Sequence, residues 1–382
     1  MNMDYFSFKK GWFDMANSNL HNAKRNENDE FYTPLKIIED ELKFYPNHFR
    51  GKTVFCNCDD PFESNFTLYF LMHFNKLGLK RLISTGYATS PIAGKLIQQI
   101  GTYCLDISNT KHFLRDGQKD LLQSDAIRMI QMETKHIKIL AGDDEHLAGD
   151  FRSAESLALL EQCDVVVGNP PFSLFREYIA LLEKYNKKYL FIGDINQLTY
   201  KEFFPLVKIG KVWMGATMCG TGSHWFEVPD TYQNDNVKVI DGKRMMTNGR
   251  ACWWTNLDYP ERHKLMPLGY KYEGYENAYP HYDNYDAIDI GYETSNGTRR
   301  GDFERTPYDY EGAMGIPNTA FGKICPEQFE IIKFRKGDDN KDLCINGKCP
   351  YFRILVRNRQ PGRTDWETWQ KEIDDARKEG TK

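Results

Sequence analysis

The sequence has no long unbroken apolar run, and its mean hydropathy is negative. A membrane-spanning helix needs about 20 consecutive apolar residues, so no transmembrane segment is predicted. Residues 1–28 are polar and mixed in charge, without the apolar stretch and small-residue cleavage site of a secretory signal. These absences predict a cytoplasmic protein that makes no contact with a membrane.

The sequence also lacks a Cys-x-x-Cys pair, although it contains nine cysteines. An odd number of cysteines spread along a chain is typical of reduced thiols, so no disulfide framework is expected. The closest pairs are Cys56 with Cys58 and Cys344 with Cys349, and nearby histidines do not complete a four-ligand zinc set. We therefore expect no metal site.

The sequence also has no excess of basic over acidic residues. The 50 Lys and Arg residues face 54 Asp and Glu residues, which gives a formal net charge of -4. A nucleic-acid partner would need basic residues gathered locally. The chain has 382 residues and is 41% apolar, so it can bury a substantial core. Its length predicts two domains or one elaborated α/β domain.

Short apolar strands alternate with helical patterns between residues 51 and 228, which predicts a mainly parallel sheet covered by helices. A helix is predicted from about Ser64, and residues 87–138 look like a helical insertion between two strands. The predicted strands are 53–57, 81–84, 137–140, 164–167, 189–192 and 212–216.

The pattern changes after Val228. Asp241-Gly242 suits a tight turn and predicts a hairpin over 237–246. Residues 270–310 carry nine tyrosines among many acidic residues, glycines and asparagines, and we expect irregular loops there. A capping box at Thr364–Glu367 predicts a C-terminal helix in which Trp366, Trp369 and Ile373 pack inward.

One motif carries the chemistry: an apolar strand runs directly into Asn169-Pro170-Pro171-Phe172. Each proline fixes its own φ and keeps the preceding residue out of the helical region, so the loop is extended and rigid. The carboxyl end of a strand is where open α/β sheets bind ligands. We expect the Asn169 side-chain oxygen and the Pro170 carbonyl to accept the two N–H groups of an exocyclic amino group, with Phe172 stacking on a flipped base.

A conjugated amino nitrogen is a weak nucleophile because its lone pair is delocalised into the ring. Two acceptors that draw its hydrogens out of the ring plane favour a tetrahedral nitrogen that can attack a methyl group in line. Catalysis is then mostly positioning and hydrogen-bond polarisation. The alternative interpretation of the motif is a loop that merely ends a strand.

Further sequence blocks accompany this motif: Asp29–Thr33, Cys56–Pro61 with Ser64–Phe66, Gly149–Ser156 and Pro326–Leu355. On these blocks, from about residue 29 to 359, the chain resembles the amino-methyltransferases that use S-adenosylmethionine, and within them the EcoRI modification methylase family. The resemblance implies a Rossmann-like fold, with a mostly parallel seven-stranded sheet and helices on both faces. It also implies adenine-N6 methylation of duplex DNA at a GAATTC-like target.

The resemblance implies a domain order and a cofactor site. Residues 1–28 are an N-terminal extension, 29–255 a catalytic domain that binds S-adenosylmethionine, and 256–382 a target-recognition region. No acidic residue closes the second strand, so the ribose contact stays unassigned. Thr33 is predicted to be the N-cap of the helix that begins at Pro34. The implied cofactor-binding residues are Phe31, Tyr32, Thr33, Asp59, Asp60, Pro61, Asp150 and Phe151.

A local basic segment is the candidate DNA contact. Residues 331–359 carry eight basic and three acidic residues, and a local positive field suits phosphate binding. A solvated charged face is the alternative interpretation. Arg299 and Arg300 are weaker candidates for reading guanine edges. The predicted phosphate contacts are Lys333, Arg335, Lys336 and Arg353.

Other functions share parts of this pattern. Methylation of a glutamine side chain in a protein, or of an RNA base, uses the same kind of loop, and a DNA-binding protein that has lost catalysis is a further alternative. Cytosine-C5 methylation typically needs a Pro-Cys pair, and here the order is Cys325-Pro326 and Cys349-Pro350. We expect a monomer on double-stranded DNA. Whether a cognate restriction endonuclease exists stays open, and one would not form a complex with this chain.

Overall fold

The computed structural model describes residues 32–87, 102–115, 117–132, 136–217, 224–228 and 234–380. The described residues form two compact units. The first lies within Met1–Asp194 and Gly222–Ala251, and the second within Ile195–Thr221 and Cys252–Lys382. Phe31, an expected cofactor contact, lies outside the described residues. No helix in the described part of the chain is long and apolar enough to cross a bilayer.

The main sheet of the first unit follows the predicted strands closely. Its strands run in the order β4-β3-β2-β1-β5-β6. Strands β2, β1, β5 and β6 pair in parallel, whereas β3 is antiparallel to both β2 and β4. The first unit is therefore an α/β unit with a mixed sheet. The strand bounds are β1 (Thr53–Cys56), β2 (Arg81–Thr85), β3 (Tyr103–Ile107), β4 (Ile137–Ile139), β5 (Val165–Gly168) and β6 (Lys188–Asp194).

Strands β1 and β5 are buried along their whole length, as their unbroken apolar sequences require. Ser64 caps the helix after β1, because its Oγ accepts from the N–H groups of Phe66 and Thr67. Pro34, not Thr33, is the N-cap of the first helix, and no side chain caps it. The helices of this unit are α1 (Leu35–Leu42), α2 (Asn65–Met72), α3 (Phe74–Leu77), α4 (Gln123–Met132), α5 (Ala154–Gln162) and α6 (Phe175–Lys184).

The expectation of a helical insertion over 87–138 was incomplete, because β3 lies inside it. Tyr103, Leu105 and Ile107 are buried, and β3 pairs with β2 from Cys104 to Ile107. That pairing joins distant residues, so the short apolar alternation alone did not reveal it. Strands β8 (Trp225–Glu227), β9 (Lys238–Ile240) and β10 (Lys243–Thr247) form a small antiparallel sheet. The turn between β9 and β10 is the predicted Asp241-Gly242 turn, with both residues at positive φ.

The second unit is built on a sheet with the order β12-β13-β16-β20-β17. Strand β7 pairs antiparallel with β11, and two further antiparallel pairs, β14 with β15 and β18 with β19, form two-stranded sheets. Trp369 and Ile373 of the C-terminal helix are buried, as predicted. The elements are α7 (Phe204–Lys208), β7 (Trp213–Met214), β11 (Ala251–Thr255), β12 (His281–Tyr282), β13 (Tyr285–Asp289), β14 (Gly291–Glu293), β15 (Arg299–Gly301), β16 (Ala313–Pro317), β17 (Phe329–Phe334), β18 (Leu343–Ile345), β19 (Lys348–Tyr351), β20 (Arg353–Asn358) and α8 (Trp366–Gly380).

Two expectations about the second unit were wrong. The tyrosine-rich segment 270–310 is not irregular throughout, since β12 to β15 lie in it and the Ala287–Asp289 part of β13 is buried. The cysteines are not all reduced, because the structure joins Cys344 and Cys349 in a disulfide. Pairing of β18 with β19 brings the Cα atoms of these two cysteines to 4.5 Å, a proximity that their sequence spacing did not indicate.

Candidate active site

The Asn169 loop has the predicted strand–loop–helix context. Strand β5 ends at Gly168, Pro171 is extended with φ -61° and ψ 126°, and a short 3-10 turn at Phe172–Leu174 leads into α6. Pro170 is buried, whereas Asn169 and Phe172 are partly exposed. The motif therefore stands at the carboxyl end of a buried parallel strand, the position at which open α/β sheets bind ligands, and the Oδ1 atom of Asn169 is itself buried there.

Asp59 joins this loop to the segment after β1. Its Oδ1 accepts from the Ser64 hydroxyl at 2.9 Å, and its Oδ2 accepts from the backbone N–H of Asn169 at 3.3 Å. A Cβ on Gly168 would overlap that same Oδ2. Burial raises the pKa of Asp59 to about 7, the charge of Asp60 adds to the increase, and the hydrogen bonds from Ser64 and Asn169 oppose it. The carboxyl group is thus a buried bridge between two loops.

The Tyr32-Thr33 block lies at the start of α2. Asn65 Nδ2 donates to the carbonyl oxygen of Thr33 at 2.8 Å, and Tyr32 forms a β-bridge with Glu227 of β8. Thr33 is buried, and its Oγ1 has no hydrogen-bond partner among the described residues. A buried hydroxyl without a partner carries a free-energy penalty unless a ligand satisfies it.

Two glycines, Gly86 after β2 and Gly149 before α5, allow their segments to pack closely beside Asp60. A Cβ on Gly86, after β2, would lie 2.8 Å from Asp60 Oδ2, and a Cβ on Gly149 would overlap the carbonyl oxygen of Gly86. Gly149 also has a positive φ of 73°, which favours glycine. Asp60 Oδ1 accepts from the N–H of Phe62 at 2.9 Å, and burial raises its pKa. Pro61 is buried beside it.

Asp150 and Phe151 are held by their own neighbours. Both Asp150 oxygens accept from Arg152, at 2.9 Å from Nε and 2.7 Å from Nη2, and Arg152 Nη1 donates to Glu177 of α6 at 2.6 Å. The buried Phe151 ring packs edge-on against Tyr178, with the ring centroids 5.2 Å apart. Arg152 therefore ties the Asp150 loop to the helix that follows the Asn169 loop.

The sequence did not single out several residues that build this site. Asn65, Gly86 and Gly168 make its closest contacts, and Arg152 links two of its segments. A glycine at the end of each of the two strands that flank β1 was an available signal, since such positions often mark close approach of another group. The contacts of Asn65 and Arg152 depend on the tertiary fold and had no local signal.

Arg299 and Arg353, two of the predicted DNA contacts, both donate to the same buried carboxylate. Arg353 Nε donates to Asp289 Oδ1 at 2.8 Å, and Arg299 Nε donates to Asp289 Oδ2. Asp289 has no exposed surface, and Tyr282 Oη also donates to it at 2.6 Å. Two guanidinium groups therefore surround one buried carboxylate, and these ion pairs link β13, β15 and β20 of the second unit.

The other basic candidates are more exposed. Arg335 donates twice to Asp342, at 2.7 and 2.9 Å, and Lys336 donates to the same carboxylate at 2.7 Å. Lys333 Nζ donates to the carbonyl oxygen of Gly337 at 3.1 Å. Arg300 on β15 is exposed. Asp342 offsets part of the positive charge of Arg335 and Lys336, and the side chains of Lys333 and Lys336 are partly exposed.

Comparisons with known proteins agree with one another. Residues 19–359 match the model of the protein family described as adenine-specific methyltransferase EcoRI. The type II methyltransferase M.EcoRI of Escherichia coli is 45% identical over 350 residues, which cover 90% of this chain and 98% of the relative. M.MpnI of Mycoplasma pneumoniae and M.MgeORF184P of Mycoplasma genitalium, also type II methyltransferases, are 30% and 31% identical over 89% of this chain and 98% and 99% of their own. No solved structure matches the chain.

Proposed function

The chain belongs to the family of adenine-specific methyltransferases that includes M.EcoRI, and from this membership we propose how its residues carry out the reaction. It is a site-specific DNA adenine methyltransferase that uses S-adenosylmethionine. The observation that carries the proposal is the Asn169 loop, which stands at the carboxyl end of β5 and is hydrogen-bonded to the segment between β1 and α2. This hydrogen bond supports our proposal that the amino-group acceptors lie beside the cofactor corner, by which we mean Tyr32–Thr33, Asp59–Pro61 and the start of α2.

The residues at this corner fit S-adenosylmethionine. The start of α2 offers a positive helix end for a carboxylate, the buried Thr33 Oγ1 is available for a hydrogen bond, and Asp60 supplies a carboxylate for a cationic amino group. Glycines at 86 and 149 allow close backbone approach. When bound, S-adenosylmethionine supplies an electrophilic methyl group on a sulfonium. We assign Tyr32, Thr33, Asp60, Pro61, Asp150 and Phe151 to this corner, and Asp59, whose two oxygens already accept from Ser64 and Asn169, to its wall.

The Asn169 loop binds and orients the target base. The Asn169 side-chain oxygen and the Pro170 carbonyl accept the two N–H groups of the adenine amino group, which makes the nitrogen lone pair available to an electrophile. Phe172 is partly exposed at the start of the 3-10 turn and stacks on the flipped base. Flipping costs a few kcal/mol, which contacts to the base and the DNA backbone offset. The prolines hold the two acceptors in place before the base arrives.

The fold type, the domain bounds, the target sequence, the oligomeric state and the cellular location are also proposals. We propose that the first unit is a variant of the Rossmann-like methyltransferase fold in which β3 is the reversed strand, and that residues 29–255 bind the cofactor while 256–382 recognise the target. A GAATTC-like site, a monomeric state and a cytoplasmic location are proposed on the same grounds. A cognate endonuclease, where one exists, acts separately on the same DNA sequence.

A direct assay tests the proposal. Purified protein is incubated with S-adenosylmethionine and a duplex that contains GAATTC, and the nucleosides are then separated by mass. N6-methyladenine is expected in this duplex and not in a matched duplex with a scrambled site. Methylation of cytosine, or of a protein or RNA but not of DNA, would contradict the proposed activity. N6-methyladenine at a different duplex sequence would leave the activity intact and correct the target.

A further inference from the structure

The hydrogen bond between Asp59 and Asn169 assigns Asp59 a role that differs from cofactor binding. We propose that Asp59 is a positioning residue for methyl transfer: its carboxyl group holds the backbone N–H of Asn169 and thereby aims the Asn169 side chain and the Pro170 carbonyl. The inference rests on the proposed function, in which those two groups bind the adenine amino group. It adds a residue 110 positions away from Asn169 in the sequence to the machinery of the loop.

Asp59 is held firmly enough to act in this way. Its own N–H donates to the carbonyl oxygen of Thr85 at 3.1 Å, and its carbonyl oxygen accepts from the Ser84 hydroxyl at 2.7 Å. Its Oδ1 accepts from Ser64, whose Oγ in turn caps α2 through the N–H of Phe66 at 3.0 Å. The end of β2 and the start of α2 therefore fix the position of the Asp59 carboxyl group that contacts the Asn169 loop.

Gly168 supplies a second, independent observation. A Cβ at this position would overlap Asp59 Oδ2, the same atom that accepts from Asn169. Gly168 does not have a positive φ, so backbone conformation does not explain the glycine. The close approach of the Asp59 carboxyl group does explain it.

The neighbouring Asp60 has a different arrangement. Asp59 is 7% exposed, and each of its oxygens already has a protein donor. Asp60 Oδ1 accepts from Phe62, and its Oδ2 faces the backbone of Gly86 at the edge of the proposed cofactor corner. The two adjacent acids therefore have different proposed roles: Asp60 contacts the methyl donor, and Asp59 positions the Asn169 loop.

The test compares Asp59→Ala, Asp59→Asn and Asp60→Asn with the wild type. Single-turnover methylation of a duplex that the wild type methylates is measured at saturating S-adenosylmethionine, and the cofactor Kd is measured by calorimetry. Asp59→Ala should lower the rate constant about 100-fold, because small misplacements of reacting groups have effects of that size, while the cofactor Kd changes less than about threefold. Asp59→Asn keeps a carbonyl acceptor for the Asn169 N–H and should recover a large part of the rate. Asp60→Asn should show the opposite pattern: the cofactor Kd should rise, and the rate constant at saturating S-adenosylmethionine should change little.

A double-mutant cycle tests the contact itself. Gly168→Ala should slow methylation strongly in the wild type and only slightly in the Asp59→Ala background, because the overlapped carboxyl group is then gone. Additive losses would overturn the proposal, and so would a cofactor Kd that rises in step with the rate loss in Asp59→Ala.

A measurement on the wild-type protein tests the contact even if the Asp59 and Gly168 variants fail to fold. The backbone amide resonance of Asn169, identified by its loss in Asn169→Asp, should shift with pH as Asp59 ionises. A resonance that does not move with pH would overturn the proposed contact. Wild-type protein that methylates no DNA adenine would instead overturn the proposed function, and this inference with it, so the two failures are distinguishable.

Discussion

The Nε atom of Arg353 lies 2.8 Å from Oδ1 of Asp289, a carboxylate without any exposed surface. Arg299 donates to the other oxygen of the same carboxylate. The residues that the sequence offers as DNA contacts thus divide into two classes. Arg299 and Arg353 contact this buried carboxylate, whereas Arg300 is exposed and Lys333, Arg335 and Lys336 are partly exposed.

The first prediction concerns stability. Arg353→Met should destabilise the fold by about 1.5–3 kcal/mol, because it removes a hydrogen bond to the buried Asp289 carboxylate, which keeps Arg299 as its partner. Urea unfolding of the variant and the wild type measures the difference. Arg300→Met is the matched control on exposed surface and should stay within about 0.5 kcal/mol of the wild type. Equal stability of Arg353→Met and wild type would contradict the structural role.

The second prediction concerns DNA affinity. Lys336→Ala should weaken binding to duplex DNA and reduce the slope of log K against log salt by about one, as expected for one lost phosphate contact. Fluorescence anisotropy over a range of salt concentrations measures that slope. Lys336→Arg keeps the charge and should keep the slope. If both Lys336→Ala and Lys333→Ala keep the wild-type slope of log K against log salt, residues other than these lysines contact the DNA phosphates.

The third prediction concerns a buried histidine. His263 lies between Glu327 and Asp258, at 2.6 and 2.7 Å, and Arg377 of α8 also contacts Asp258. Burial lowers the pKa of His263, but the hydrogen bonds and charges of the two acids outweigh burial and raise it overall. The folded state therefore keeps this proton to a higher pH than the unfolded chain does.

The sign of the pH effect follows from that shift. The stabilisation from His263 is complete below about pH 6.5, the ordinary range of histidine, and is lost as pH rises through the higher pKa of the folded state. His263→Gln should cost about 1–3 kcal/mol at low pH, from lost hydrogen bonds to charged groups, and less at high pH. Urea titrations of both proteins across this range measure the difference, and a cost that grows with pH would contradict the assignment.

The fourth prediction concerns the raised pKa of Asp59. Because the native state keeps the Asp59 proton up to about pH 7, ionisation of this group opposes folding as pH rises from the ordinary aspartate range toward 7. Asp59→Asn removes that opposition. Its free energy of unfolding should therefore improve relative to wild type as pH increases over this window, even though methylation slows. A relative stability that falls with pH would contradict the burial argument.

Local signals explain which features were predictable from sequence. The apolar run before Asn169, the two prolines, the serine that caps α2 and the Asp241-Gly242 turn are each written in a few consecutive residues. The structure has each of them where the sequence predicts it, with boundaries that differ by one or two residues.

Features that depend on distant residues were not predictable in the same way. The contacts of Asp59 with Asn169 and of Arg353 with Asp289 join residues 110 and 64 positions apart. The reversed strand β3 depends on pairing with β2, and the tyrosine-rich strands depend on a sheet that forms around them. A basic residue in a sequence also does not reveal whether an acid pairs with it, so the contacts of Arg299 and Arg353 with Asp289 were not predictable.

The fifth prediction concerns the amino-group acceptor. Asn169→Ala removes the side-chain oxygen from the loop and leaves the Asp59 contact to the backbone in place. It should lower the single-turnover rate at least about 100-fold, the size of effect seen when one preorganised hydrogen-bonding group is removed. The cofactor Kd should stay close to the wild-type value. Near-normal turnover would refute the role of Asn169.

Methylome sequencing tests the central claim most directly. DNA from cells that express the wild-type protein, and from cells that express Asn169→Ala, is sequenced by a method that reports the modified base and its position. N6-methyladenine at one short recurring sequence, present with the wild type and absent with the variant, is the predicted result. Genomic DNA without any new N6-methyladenine in the wild-type cells would contradict the account.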